Sequence, residues 1–179
     1  MLRLTTMKRS AFFGLMLVSC LLVECHDDHH HSCRPGQPCP CGGIDYCQLD
    51  CRDIDGCTPV CGSTVQCSVL CANDCVYDCS SSQDCSVSCG DRCRVSCSSH
   101  NTCVALCGAA CEYTCSDGNS CSPTVGPGSN VVCESYSSCN VTCNGDCHVR
   151  CSNPSDCAIH CASGGPISCS DGSRACGPC

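Results

Sequence analysis

Apolar and polar positions alternate along this chain in short bursts built on Cys-x-Val-x-Cys: CSVLC at 67–71, CSVSC at 85–89, CRVSC at 93–97, CVALC at 103–107 and CNVTC at 139–143. Residues i, i+2 and i+4 of a strand share one face, so both cysteines and the central residue of each burst point the same way. The central positions are Leu49, Pro59, Val69, Tyr77, Val87, Val95, Ala105, Tyr113, Pro123, Val131, Val141, Val149, Ile159 and Ile167. The residues between them are mostly polar, such as Ser86 and Ser88, Arg94 and Ser96, and Asn140 and Thr142. That alternation predicts strands with one buried face. A helix would need the four-residue spacing of Cys67, Cys71 and Cys75 to continue. Instead the step to Cys85 is six residues, and β-branched centres sit between Gly, Asn, Asp and Ser turns.

The bursts repeat. Each cysteine from Cys67 to Cys79 has a counterpart eighteen residues later, at Cys85–Cys97, and again at Cys103–Cys115. A strict short period is the signature of stacked repeats. Three-residue corners (Ala72–Asp74, Gly90–Arg92, Gly108–Ala110) alternate with five-residue corners (Ser80–Asp84, Ser98–Thr102, Ser116–Ser120). Gly, Asn and Asp supply the positive φ that tight corners need. Two strands and two corners per eighteen residues describe one flattened coil. The expected fold is therefore all-β, a two-sided β-solenoid of about seven such coils with disulfides across each coil.

Going round a flattened coil, Cys71 faces Cys75 and Cys67 faces Cys79. Stacked equivalents sit about 4.8 Å apart, more than the roughly 3.8 Å Cβ separation a disulfide prefers. Pairing within coils is the geometric expectation. The coil starting at Cys121 fits it, because Val125 and Ser129 replace both members of one inner pair. The rule gives outer bonds Cys47–Cys61, Cys67–Cys79, Cys85–Cys97, Cys103–Cys115, Cys121–Cys133, Cys139–Cys151 and Cys157–Cys169. Its inner bonds are Cys51–Cys57, Cys71–Cys75, Cys89–Cys93, Cys107–Cys111 and Cys143–Cys147. Cys161 faces Gly165, so Cys176 or Cys179 is a substitute partner. Cys25, Cys33, Cys39 and Cys41 can close two bonds at the other end. One C-terminal thiol is then left for an intermolecular disulfide. The tight fit this scheme gives Tyr77 opposite Val69 is its one steric tension.

Composition explains the need for staples. The 179 residues include 32 cysteines and no tryptophan, and both phenylalanines, all three methionines and the single lysine lie in the first sixteen residues. Cys, Val, Ile, Leu, Ala and a few Tyr make too thin a core for an ordinary two-layer domain. From Cys20 onward 6 arginines face 17 acidic residues, a net charge of −11. Such a surface repels phosphate backbones, so nucleic acid is not an expected partner.

The first nineteen residues carry Arg3, Lys8 and Arg9 ahead of an apolar run from Ala11 to Val18, the pattern of an export signal. Leu17-Val-Ser-Cys20 resembles the bacterial lipobox. That resemblance implies lipidation of Cys20 and a membrane anchor, although Leu21–Val23 prolong the apolar run where mature lipoproteins turn polar. The expected organisation is a signal at 1–19, an anchor, His-rich spacer and Cys/Pro/Gly cap at 20–46, the solenoid at 47–174 and a C-terminal cap at 175–179. The expected location is extracytoplasmic, secreted or outer-membrane-anchored, where disulfides persist. Within the spacer, His26, His29, His30 and His31 are candidate zinc or copper ligands.

Residues 47–174 resemble bacterial Cys-x-Val-x-Cys repeat proteins with lipoprotein-like signals. The architecture is similar to the disulfide-filled solenoid of insect antifreeze proteins, and the eighteen-residue turn to the calcium-binding β-roll. The antifreeze array of Thr-x-Thr is missing: outward pairs run Ser68/Leu70, Ser86/Ser88, Val104/Leu106, Ser122/Thr124, Asn140/Thr142. So is G-G-x-G-x-D, and Asp74, Asp84, Asp91, Asp146 and Asp156 do not recur coil after coil. His100, His148 and His160 have no fixed offset to a Ser or Asp partner, and there is no HExxH or phosphate loop. The expected function is a non-enzymatic structural or adhesive surface module without a cofactor, acting on a protein or surface ligand. The alternative is an exported zinc, copper or calcium binder.

Overall fold

The computed structural model describes residues 33–40, 45–61, 66–80, 82–99, 102–117, 119–135, 137–152 and 156–179. Every regular element among them is a strand: β1 (Pro38–Pro40), β2 (Tyr46–Cys51), β3 (Thr58–Val60), β4 (Gln66–Cys71), β5 (Val76–Cys79), β6 (Asp84–Cys89), β7 (Arg94–Cys97) and β8 (Thr102–Cys107). They continue with β9 (Glu112–Cys115), β10 (Ser120–Val125), β11 (Ser129–Cys133), β12 (Ser138–Cys143), β13 (Cys147–Cys151), β14 (Asp156–Cys161), β15 (Ile167–Ser168) and β16 (Arg174–Cys176). The even-numbered strands β2 to β14 stack in sequence order as one parallel sheet. The odd-numbered strands β5 to β13 stack as the opposite sheet, which β16 and β15 complete. The result is a β-solenoid of about six turns.

The register follows the eighteen-residue period: Cys85 pairs with Cys103, Val87 with Ala105 and Cys89 with Cys107. The first coil absorbs its longer corner, so that Cys47 stacks on Cys67 and Cys51 on Cys71. Inward positions are buried as the alternation requires, from Leu49 to Val149. Among the described residues, the core of sulfur and small aliphatics admits two large rings, Tyr77 and Tyr113, each 1 % exposed.

The last coil departs from the period. Ile167, expected to point inward, is 49 % exposed. The chain turns back, and β16 runs antiparallel to both β13 and β15. This fold-back covers the edge of β13 that a further parallel coil would have used, and leaves the two-residue β15 as the outermost strand of that sheet, a short edge. At the other end β1 stacks in parallel on β3, bringing part of the cap segment into the ladder.

The corners are ladders too. The last residue of the short corner is left-handed in five successive coils: Gly56, Asp74, Arg92, Ala110 and Gly128, with φ between 55° and 72°. Each donates its N–H to a carbonyl of the next coil, as Asp74 does to Asp91 at 2.9 Å and Arg92 to Ala109 at 2.8 Å. Beside this column Asp55, Asn73 and Asp91 each accept a backbone N–H from the residue eighteen positions on, at 2.7–3.0 Å. Side chain and backbone thus tie neighbouring coils at a place where no strand does.

Candidate functional site

The sulfur chemistry runs in two columns. At the long corners a zig-zag of cysteines alternates between the two sheets, and each sulfur has one neighbour in its own coil and one in the next. The structure joins the end of one coil to the start of the following one: Cys61–Cys67, Cys79–Cys85, Cys97–Cys103, Cys115–Cys121, Cys133–Cys139 and Cys151–Cys157. These bonds replace the expected outer pairs Cys47–Cys61, Cys67–Cys79, Cys85–Cys97, Cys103–Cys115, Cys121–Cys133, Cys139–Cys151 and Cys157–Cys169. The physical reason is stagger. Each coil must rise onto the next, so a long-corner cysteine has candidate partners both in its own coil and in the neighbouring one. Cys61 illustrates it, bonded to Cys67 while its sulfur lies 3.7 Å from that of Cys47.

Toward the two ends of the described segment, further bonds form within the chain. Cys33 joins Cys39, Cys161 joins Cys176, and Cys169 joins Cys179. The fold-back of β16 carries Cys176 to Cys161, so both C-terminal cysteines are bonded within the chain. The expected spare thiol for an intermolecular disulfide does not exist at this end.

The short-corner column behaves differently. Cys51–Cys57 and Cys143–Cys147 are bonded within their coils. The three pairs between them are not: Cys71, Cys75, Cys89, Cys93, Cys107 and Cys111 are buried free thiols. Expected disulfides Cys71–Cys75, Cys89–Cys93 and Cys107–Cys111 are therefore absent. The inward residues do not separate the two kinds: the open Cys89/Cys93 coil carries Val87 and Val95, just as the bonded Cys143–Cys147 coil carries Val141 and Val149. The three open pairs are consecutive, and their sulfurs meet sulfurs of the neighbouring coil, as Cys89 meets Cys107.

The six sulfurs touch one another. Cys89 donates to Cys107 at 3.0 Å. Cys75 meets Cys71 and Cys93, and Cys111 meets Cys107, Cys89 and Cys93. Cys93 and Cys111 also point at backbone carbonyls, Cys93 at Ala72 (3.5 Å) and Cys111 at Gly90 (3.4 Å). The hydrogen bond with Cys71 pushes the Cys75 thiol up to about 12. Hydrogen bonding to neighbouring sulfurs likewise raises Cys89, above all through Cys107, and Cys93 and Cys107, above all through Cys111. Cys111 moves the opposite way, lowered above all by its hydrogen bond with Cys107 and then by those with Cys89 and Cys93. The period in the sequence located these six cysteines but gave no sign that they differ from the other two short-corner pairs.

Among the described residues, the outer faces carry no comparable cluster of cysteine, histidine or carboxylate groups. A shallow open depression of about 530 Å³ runs across the starts of β4, β6 and β8, lined by Tyr46, Gln66, Ser68, Asp84, Thr102 and Val104. Val104 and Leu106 are each about half exposed. His148 and His160 face outward on opposite sheets, half-buried and exposed. Of the corner carboxylates, Asp74 pairs with Arg92 at 2.8 Å, which lowers its pKa, and Asp91 accepts the Ala109 N–H. Those oxygens serve the coil ladder. Cys20, Cys25, His26, His29, His30, His31, Cys41 and His100 lie outside the described residues.

No family model, no curated protein and no solved structure matches this chain.

Proposed function

We propose that this chain is a non-enzymatic exported structural or adhesive module, a stapled rod that displays varied outward residues to a protein or surface ligand. One observation carries the reading. A disulfide at nearly every long corner fastens the end of one coil to the start of the next, while the outward residues differ from coil to coil. Intramolecular disulfides in such number are typical of extracytoplasmic proteins. A solenoid stapled this way holds its outer face rigid without a large hydrophobic core, which suits presentation better than turnover. The lipobox-like Leu17–Cys20 adds an anchor, and export followed by lipidation of Cys20 tethers the rod to a membrane.

Cell fractionation of the full chain, with protease shaving of intact cells and mass analysis, tests this. The expected result is surface-exposed, disulfide-bonded protein carrying lipid that disappears in Cys20→Ala. Recovery in the cytoplasm with its long-corner cysteines reduced would overturn the proposal. Lipid that survives Cys20→Ala would remove Cys20 as the anchor.

A further inference from the structure

We propose that the six short-corner thiols, Cys71, Cys75, Cys89, Cys93, Cys107 and Cys111, form a buried binding site for Cu(I). This goes beyond the reading of the chain as a rod, and a stapled rod without copper remains one. Soft thiolate ligands select Cu(I) and zinc over hard cations. Triads of sulfur within 4.8 Å of one another recur along the solenoid, but Cys47/Cys61/Cys67, Cys79/Cys85/Cys103 and Cys97/Cys103/Cys121 are built from bonded cysteines. Cys89, Cys93 and Cys111 form such a triad from free, buried thiols. Three sulfurs at that spacing suit the low coordination numbers Cu(I) accepts; Cys107, 3.0 Å from Cys89, adds a fourth, so direct competition with zinc is part of the test.

The compartment is closed at both ends. Below it the equivalent positions are the Cys51–Cys57 disulfide. Above it they are Val125 and Ser129, both fully buried. The Ser129 hydroxyl accepts the Cys111 N–H at 3.0 Å and lies 3.5 Å from the Gly108 carbonyl. The thiol stack is thus finite, three coils deep and screened from water by its own corners. Each thiol that binds Cu(I) releases its proton to solvent, and the metal undergoes no change of oxidation state. The bound cations offset the thiolate charge that the dry interior would otherwise penalise.

The test uses the full chain, purified anaerobically. Alkylation with N-ethylmaleimide after denaturation without reductant should add one label at each of the six cysteines. Cu(I) supplied as its acetonitrile complex should bind with thiolate-to-copper absorption and the luminescence of a water-shielded cluster. The variant for comparison copies the coil that naturally lacks the pair: Cys71→Val, Cys89→Val and Cys107→Val with Cys75→Ser, Cys93→Ser and Cys111→Ser. Val125 and Ser129 occupy those same positions in a folded coil, so the strand spectrum and long-corner disulfides should persist while the thiolate–copper signal falls to background. Reading the thiolate signal separates this site from copper held by the histidine spacer. Unreactive cysteines at these six positions, thiolate-bound copper retained by the variant, or zinc displacing Cu(I) in direct competition would each overturn the proposal.

Discussion

Gly126 and Gly128 are two residues apart in one short corner, and replacing each with alanine should fail for different reasons. A Cβ on Gly126 would lie 2.6 Å from the Gly108 carbonyl oxygen, 2.7 Å from its carbon and 3.0 Å from the Ala109 nitrogen. All three are backbone atoms of the preceding coil, so no side chain can swing aside. Relief requires the two corners to part by roughly 0.7–0.8 Å to bring the two shortest contacts to about 3.4 Å, where ordinary contact begins. That movement lengthens the bonds the Gly126 N–H makes to Cys107 (3.1 Å) and Gly108 (3.0 Å). Weakening a ladder bond at roughly 1 kcal/mol, plus overpacking strain of roughly 1–3, gives about 2–4 kcal/mol for Gly126→Ala. Gly128 has φ +72° and nothing within 4 Å of its Cβ position. Its cost is conformational, roughly 1–2 kcal/mol, offset by up to about 1 from the stiffer unfolded chain. Ala110, eighteen residues earlier, already adopts φ 55° at the equivalent place. Guanidinium unfolding with disulfides intact measures both variants, and amide exchange at Gly108 and Gly126 localises the effect. If Gly126→Ala destabilises no more than Gly128→Ala, close coil stacking is not what selects glycine there.

Two further outcomes follow from single groups. The Tyr113 hydroxyl is buried without a hydrogen-bond partner, and burial above all pushes its pKa up. Tyr113→Phe should therefore stabilise the protein by roughly 1–2 kcal/mol in the same unfolding assay, and a loss of stability would show that the hydroxyl is satisfied in solution. Asp171 accepts from the Ser173 hydroxyl at 2.6 Å and the Ser173 N–H at 3.0 Å, with Arg150 at 3.2 Å, and its pKa is held at about 2. A depressed carboxylate stabilises above its unfolded pKa and loses that contribution as pH falls through the folded one. Exchange protection at the C-terminal fold-back should therefore decline between about pH 4 and pH 2, and Asp171→Asn should flatten the change.

Much of this molecule was legible in the chain, for local reasons. Alternation at Cys85-Ser-Val-Ser-Cys89 is a two-residue period, and a strand converts it directly into an inner and an outer face. The eighteen-residue period sets parallel register, because a slip of one residue would turn every cysteine outward. Glycine and Asn/Asp at the corners announced left-handed turns, and Gly56 and Gly128 take them, as does Asp74. The period failed at Ile167, where the chain ends its stack by folding back instead of adding a coil.

The sequence by itself determined the coil, its faces and its corners, since each depends on residues within eighteen positions of one another. The tertiary structure alone decided which sulfur meets which. Cys79 has Cys67 twelve residues behind and Cys85 six ahead, both inward-facing, and only the climb between coils places the bond on Cys85. The same holds at the short corners, where Cys71–Cys75 and Cys143–Cys147 have identical spacing in the chain. The second pair is bonded, and the first is left as thiols, with Cys75 in contact with Cys93 of the next coil. Spacing along a chain fixes what can meet, whereas packing in three dimensions fixes what does.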